Sequence, residues 1–332
     1  MGSDPIFFVP PPSYLVPILA GGATLGLLAW MLARDVRLPL DHPNERSLHK
    51  RPVPRSGGMA IMAGVFCALA VLMISPVLVL PTVILAAISF LDDLRGVPVA
   101  LRLAVHCIVA AGFTAAAFPA APQGLPVLVF ISAVWMTNLY NFMDGSDGLA
   151  GGMALIGFGF LGTGAWLAGG TALALACFAI AASAAAFLVF NFHPARVFMG
   201  DTGSIPLGFL AAGVGAIGWR DGLWPMWFAP VVFSPFIADA SLTLIRRILR
   251  QERVWVAHRD HYYQRLVLMG WGHRKTALAE YGLMVFCGLM ALWATRQPVY
   301  LQIGAAAILA VSYGALVVAV TFAWRRFTEK KR

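Results

Sequence analysis

Long apolar runs recur from one end of the chain to the other, separated by short polar segments. They predict eleven helices, at about 14–34, 57–74, 76–91, 101–119, 125–142, 152–168, 171–190, 203–219, 222–245, 277–295 and 298–324. The third is short for a membrane span. The first has neither a basic leading region nor a small-residue cleavage site, so it reads as a retained helix rather than a signal peptide. Composition agrees: hydrophobic residues make up 60% of the 332 and charged ones 12%, against about 25% charged in an average soluble domain. The chain is therefore predicted to be an all-α polytopic transmembrane helix bundle forming one domain over 1–332.

Charge sets the expected orientation. With alternate loops on opposite sides, all but two of the 24 Lys and Arg, Arg220 and Arg296, fall on one side. That side is cytoplasmic by the positive-inside rule, so the N-terminus is expected to be periplasmic and the C-terminus cytoplasmic. The net charge of +9 is then a topology signal with some attraction to anionic lipid. It forms no basic stripe interleaved with exposed aromatics, so no nucleic-acid partner is expected. The four cysteines, Cys67, Cys107, Cys177 and Cys287, lie inside apolar runs without metal spacing and read as packing residues.

The polar chemistry gathers on the cytoplasmic loops, 35–56, 92–101, 143–151, 191–204 and 246–276. The first cluster is Asp92-Asp93 at the inner end of the third span. Adjacent carboxylates at a membrane boundary need a cation, a proton or water, although Arg95 and Arg102 could also neutralise them locally. The second runs from Asn138 through Asn141 and Asp144 to Asp147. On a helix Asn138, Asn141 and Asp144 share a face, and the following glycines break it. Such a group suits a hard divalent ion or a nucleotide, and it is too short for an EF-hand loop.

The third cluster runs from Asn191 to Ser204 with Asp201 before Thr202, Gly203 and Ser204. Asp201, Thr202 or Ser204 could cap the next helix, and the same Gly-rich helix start could seat phosphate with Asp201 reaching Mg²⁺. The fourth is His258-Arg-Asp-His261-Tyr-Tyr-Gln264-Arg265. Two His three residues apart suggest zinc, but no further Cys or His lies suitably near. Contact with a phosphorylated substrate is the preferred reading.

Together the four clusters resemble the polyprenyl-phosphate N-acetylhexosamine-1-phosphate transferases, which include the phospho-MurNAc-pentapeptide translocase and the enzymes that initiate O-antigen and related polymers. The resemblance runs from about Asp41 to Arg265, with Asp-x-Pro-x-x-Arg-x-x-His at Asp41 to His49 and Gly57-Gly58 opening the second span. It implies transfer of a sugar 1-phosphate from a UDP-N-acetylhexosamine to undecaprenyl or another polyprenyl phosphate, releasing UMP, at the cytoplasmic face of a bacterial inner membrane. Mg²⁺, with Mn²⁺ as substitute, is the implied cofactor, and a homodimer is compatible with the resemblance.

By the same resemblance Asp92, Asp93, Asp201, His258 and His261 are catalytic. Asn138, Asn141, Asp144, Asp147, Asn191, Arg102 and Arg265 bind substrate, and Asp201, Asp144 and Asn191 hold the metal. The loop around His258 departs from the three consecutive histidines of the translocase branch, which favours a surface-polysaccharide donor without peptide over the peptidoglycan one. A transporter is the competing class. It would place ionisable groups near the midplane on broken helices, and here Asp239 alone lies well within a span, where a structural partner is expected for it.

Overall fold

A backbone crossing lipid has to satisfy its own N–H and C=O groups, and uninterrupted apolar runs do so as helices. The computed structural model describes residues 13–34, 39–41, 43, 48, 51–122, 124–253 and 258–330. Its helices are α1 (Val16–Ala33), α2 (Gly57–Val71), α3 (Pro76–Arg95), α4 (Val99–Ala117), α5 (Leu125–Phe142), α6 (Leu149–Leu167), α7 (Thr171–Asn191) and α8 (Asp201–Arg220). They continue with α9 (Phe228–Val232), α10 (Ser234–Leu249), α11 (Tyr262–Leu266), α12 (Gly272–Ala294) and α13 (Val299–Glu329). The protein is an all-α, multi-pass membrane bundle. Leu40–Asp41 (β1) and Val53–Pro54 (β2) add a two-residue antiparallel ladder that the hydrophobic pattern did not predict.

Among the described residues nine helices are long and apolar enough to cross a membrane, and α2 is a shorter apolar helix. The predicted span 222–245 is different: it breaks into α9 and α10. Pro235 at the first turn of α10 cannot donate to the preceding helix. Asp239, Arg246 and Arg247 then give α10 one polar face. The short third span is corrected the other way. As α3 it runs to Arg95, so Asp92 and Asp93 belong to its last turn and not to a loop.

Helix α8 lies at the centre. Of its apolar window 83% is buried inside the protein, against 11% for α13, whose exposed Ile308, Val311 and Val318 suit lipid. Around α8 pack α2, α3, α5 and α6. The contact with α2 is backbone against backbone. The Gly57 and Gly58 N–H groups donate to the carbonyls of Phe198 and Met199 at 2.9 and 2.8 Å, and a Cβ on Gly58 would meet Gly203 Cα at 2.6 Å. Small residues give this close approach where lipid offers no other driving force. The two helix starts are thereby fixed at one end of the bundle.

Gly203→Ala should lower the melting midpoint of the purified protein, since overpacking of this kind costs about 1–3 kcal/mol. Gly22→Ala, where a Cβ meets nothing within 4 Å, should leave it unchanged. Equal midpoints would show that the α2–α8 approach can relax without cost.

Candidate active site

The first turn of α8 has free N–H groups and a positive end of its helix dipole. Gly200, with φ +71°, turns the chain into it, and the capping side chain comes from another helix. Asp93 Oδ1 accepts the Asp201 N–H at 3.3 Å, and Asp93 Oδ2 accepts both the Thr202 N–H at 3.0 Å and the Thr202 hydroxyl at 2.6 Å. This corrects the expectation that Asp201, Thr202 or Ser204 caps α8. Ser204 instead donates to Asn141 Oδ1 at 3.0 Å and to the Gly200 carbonyl at 3.1 Å.

Capping by Asp93 leaves the Asp201 carboxylate free to face α4 and α5. Arg102 Nη1 donates to Asp92 Oδ2 and, at 2.8 Å, to Asp201 Oδ2, so one nitrogen bridges the two carboxylates. Asn141 Nδ2 reaches the same Asp201 oxygen at 3.3 Å, and Asp92 Oδ1 accepts the Val97 N–H at 2.6 Å. Desolvation, then the nearby Asp201 charge, holds the Asp144 carboxyl well above the ordinary carboxylate range, with Arg55 opposing. Arg55 in turn pairs with Asp41 at 3.8 Å across the β1–β2 ladder. Of the Asp41 to His49 motif, Arg46 and His49 lie outside the described residues.

The structure thus brings Asp92, Asp93, Asp201, Asn141, Asp144 and Arg102 together. Asn138 is set apart: its amide donates to the Val134 carbonyl at 2.7 Å and its oxygen meets His106 Nδ1 at 3.2 Å. Asp147 and Asn191 form a clasp between the second and third clusters. Asn191 Oδ1 accepts the Gly148 N–H and its Nδ2 donates to the Val197 carbonyl, both at 2.9 Å. The metal contact expected of Asn191 would fall to the second lone pair of the same Oδ1. Asp147 Oδ2 meets His193 Nδ1 at 2.7 Å and the Ala195 N–H at 3.1 Å, while the His193 and His273 rings stack 5.3 Å apart.

The fourth cluster is built on a second cap in trans. Asp239 of α10 accepts the Tyr262 and Tyr263 N–H groups at 2.8 and 2.9 Å and lies 3.3 Å from His261 Nδ1. The structural partner expected for Asp239 is therefore the start of α11. Tyr263 Oη donates to the Phe142 carbonyl at 3.2 Å, docking this segment beside the end of α5. Arg265, expected to bind substrate, is buried, paired with Asp260 at 3.7 Å and stacked over Tyr262 and Trp324. Burial, then His261 and Arg247, pushes His258 down to about 4. It is neutral near pH 7 and its Nδ1 accepts the Asp260 N–H at 3.3 Å.

The sequence clusters do not include His106, Arg55 or His273, and they give His193 no role. His106 had the clearest signal, a histidine inside an apolar span one turn beyond Arg102. For a divalent cation the donor chemistry at Asp201 fits: hard oxygen ligands, with the carboxylates outnumbering Arg102 and Arg55. As the side chains stand, no group of three or more His, Cys, Asp or Glu among the described residues converges as a metal site. The Arg102 guanidinium lies between Asp92 and Asp201, where a shared cation would have to enter.

The family model for glycosyl transferase family 4 matches residues 75–218, essentially α3 through α8. A Bacillus subtilis protein named probable undecaprenyl-phosphate N-acetylglucosaminyl 1-phosphate transferase is 30% identical over 264 residues, covering 73% of each chain. The decaprenyl-phosphate N-acetylglucosaminephosphotransferase of Mycolicibacterium smegmatis is 27% identical over 90% of this chain and 86% of its own. A phospho-N-acetylmuramoyl-pentapeptide-transferase of Levilactobacillus brevis is 32% identical over half of each chain. The chain belongs to glycosyl transferase family 4.

Two predictions follow from the caps and from His258. Asp93→Ala should lower both melting midpoint and turnover, because lost capping costs about 0.5–2 kcal/mol and releases Thr202. Asp92→Asn should lower turnover with a smaller effect on melting, and equal thermal losses would count against the distinction. For His258, the unfolded chain takes its proton near 6.5 and the folded chain near 4. Stability should therefore fall as pH drops from 6.5 through 4 and this contribution should level off below. His258→Asn should flatten that part of the melting profile; an unchanged slope would assign the dependence elsewhere.

Proposed function

We propose that the protein transfers an N-acetylhexosamine 1-phosphate from a UDP-sugar to a polyprenyl phosphate, releasing UMP and leaving a polyprenyl diphosphate-linked sugar. The observation that carries this reading is the Asp92–Arg102–Asp201 bridge set against the α8 start. Phosphoryl transfer depends on positioning and charge stabilisation more than on covalent participation by the protein. The names of the Bacillus and mycobacterial relatives support a polyprenyl phosphate acceptor and an N-acetylglucosamine donor.

Asp201, Asp92 and Asp144 would hold Mg²⁺ or Mn²⁺, which would supply charge neutralisation at the reacting phosphates. Arg102 and Asn141 orient and screen, and the clasp at Asp147 and Asn191 fixes the two loops beside them. A phosphate monoester has its second pKa at about 6, so the acceptor needs little help from a base and direct attack is preferred to a covalent aspartyl intermediate. The Lys and Arg distribution supports a cytoplasmic site, and the sequence around His258 supports a surface-polysaccharide role in a bacterial inner membrane. Pentapeptide transfer is the second reading, favoured by the L. brevis match.

The test is UMP release by purified protein with polyprenyl phosphate. UDP-N-acetylglucosamine, its 6-deoxy relatives UDP-N-acetylfucosamine and UDP-N-acetylquinovosamine, and UDP-MurNAc-pentapeptide should be compared side by side. Release is expected with a peptide-free donor, to be abolished by EDTA, restored by Mg²⁺ or Mn²⁺, and reduced about 100-fold or more by Asp201→Asn. No release with any donor would overturn the reaction, and preference for the pentapeptide donor would overturn the branch.

A further inference from the structure

Arg102 and His106 stand one turn apart on the same face of α4, and each has a buried nitrogen without a hydrogen-bond partner, Arg102 Nε and His106 Nε2. The character of the His106 nitrogen follows from its neighbour. Asn138 uses its Nδ2 to donate to the Val134 carbonyl at 2.7 Å, so its oxygen is the atom facing His106 Nδ1 at 3.2 Å. An amide oxygen cannot donate, and Nδ1 must carry the proton. In the neutral ring His106 Nε2 is then an acceptor. One turn back, Arg102 Nε–H is a donor. Buried polar groups in a native protein are ordinarily paired, and here an unmatched donor and an unmatched acceptor share one helix face.

Their separation has a cause. The Arg102 guanidinium is engaged elsewhere, with Nη1 bridging Asp92 and Asp201. A divalent cation between those carboxylates would have to displace it. We propose that His106 is a positioning residue for Arg102: its Nε2 receives the Arg102 Nε–H when a divalent cation takes the guanidinium's place between Asp92 and Asp201. Arg102 is the resident counter-ion of the carboxylate pair in one state and a phosphate-facing cation held by α4 in the other. This rests on the cation-dependent phosphotransfer proposed above.

Two substitutions separate the two ring nitrogens. In His106→Asn the amide reproduces the Nδ1 position and keeps the Asn138 bond but loses the acceptor. In His106→Gln the amide oxygen reaches the Nε2 position and the Asn138 bond is lost. Mn²⁺ binding to the full chain in nanodiscs, read by electron paramagnetic resonance, should weaken about tenfold in His106→Asn, the cost of one hydrogen bond to a charged group. His106→Gln should stay within about threefold of the parent. The melting midpoint without cation should show the opposite order, with His106→Gln lower, because in that state Asn138 is the partner His106 has. Unchanged Mn²⁺ affinity in His106→Asn, or a greater loss in His106→Gln, would overturn the proposal and leave His106 a structural residue. Absence of Mn²⁺ binding to the parent protein would overturn the cation-dependent reading as well.

Discussion

The start of α8 depends on a carboxylate that α8 does not own. Asp93, from the last turn of α3, binds two N–H groups and one hydroxyl of that first turn, and it does so at the most buried helix of the bundle. An anion at a helix N-terminus offsets the helix dipole and satisfies donors that have no intrahelical partner. With Asp93 in that role, Asp201 need not fold back to cap its own helix. Its carboxylate is released toward Arg102 and Asn141. The glycine contact between α2 and α8 holds the same point from the opposite side, the two backbones lying so close that a Cβ at Gly58 or Gly203 would clash with the other helix.

The same device recurs at α11, where Asp239 from α10 takes two N–H groups. The recurrence divides the acidic residues by what holds them. Asp93 and Asp239 are bound to backbone donors, and Asp147 to a backbone N–H and an imidazole; these partners are part of the fold. Asp92 keeps one oxygen on the Val97 N–H, but its other oxygen and Asp201 share a guanidinium on a long flexible side chain, and Asp144 has a carboxyl whose charge the surroundings oppose. A partner that can move, or a charge that is poorly compensated, leaves capacity for a ligand. That capacity supports the proposed chemistry at Asp92, Asp201 and Asp144.

This division marks what was legible in the sequence. Periodicity and composition sufficed for an all-helical membrane bundle, and the one-sided placement of polar clusters pointed to the end of the bundle where Asp92, Asn141 and Asp201 meet. Those readings use information local to each segment. The caps do not: that Asp93 belongs to α8, or Asp239 to α11, depends on which helices become neighbours. The clasp at Asn191 and Asp147 has the same origin: composition does not distinguish a polar side chain that staples two loops from one that binds a ligand, and only the fold reveals the staple. The break between α9 and α10 was visible as Pro235, yet apolar flanking residues made the interrupted segment read as one span. In sequence the charge at Asp92 and Asp93 reads as the end of α3, whereas Arg102 and the α8 start supply the compensation that lets the helix continue through both.

Compensation also explains why the cluster sits at the end of the bundle. Carboxylates at the bilayer centre would each carry an insertion cost of about 2.5–3.5 kcal/mol, and Arg102 could not offset several of them. At the end of α3 and α5 the helices have delivered their apolar residues to lipid, the loops can supply N–H donors, and solvent or a cation can reach the remaining charge. A phosphate on a membrane-anchored isoprenoid lies at the same depth, because its chain belongs in hydrocarbon and its dianion does not. A water-soluble nucleotide-sugar can approach that depth only from the aqueous side. The energetic boundary that confines the carboxylates is thus the boundary at which the two proposed substrates can meet, and Arg102, anchored in α4 and reaching outward, is placed to serve either the carboxylates or the phosphates.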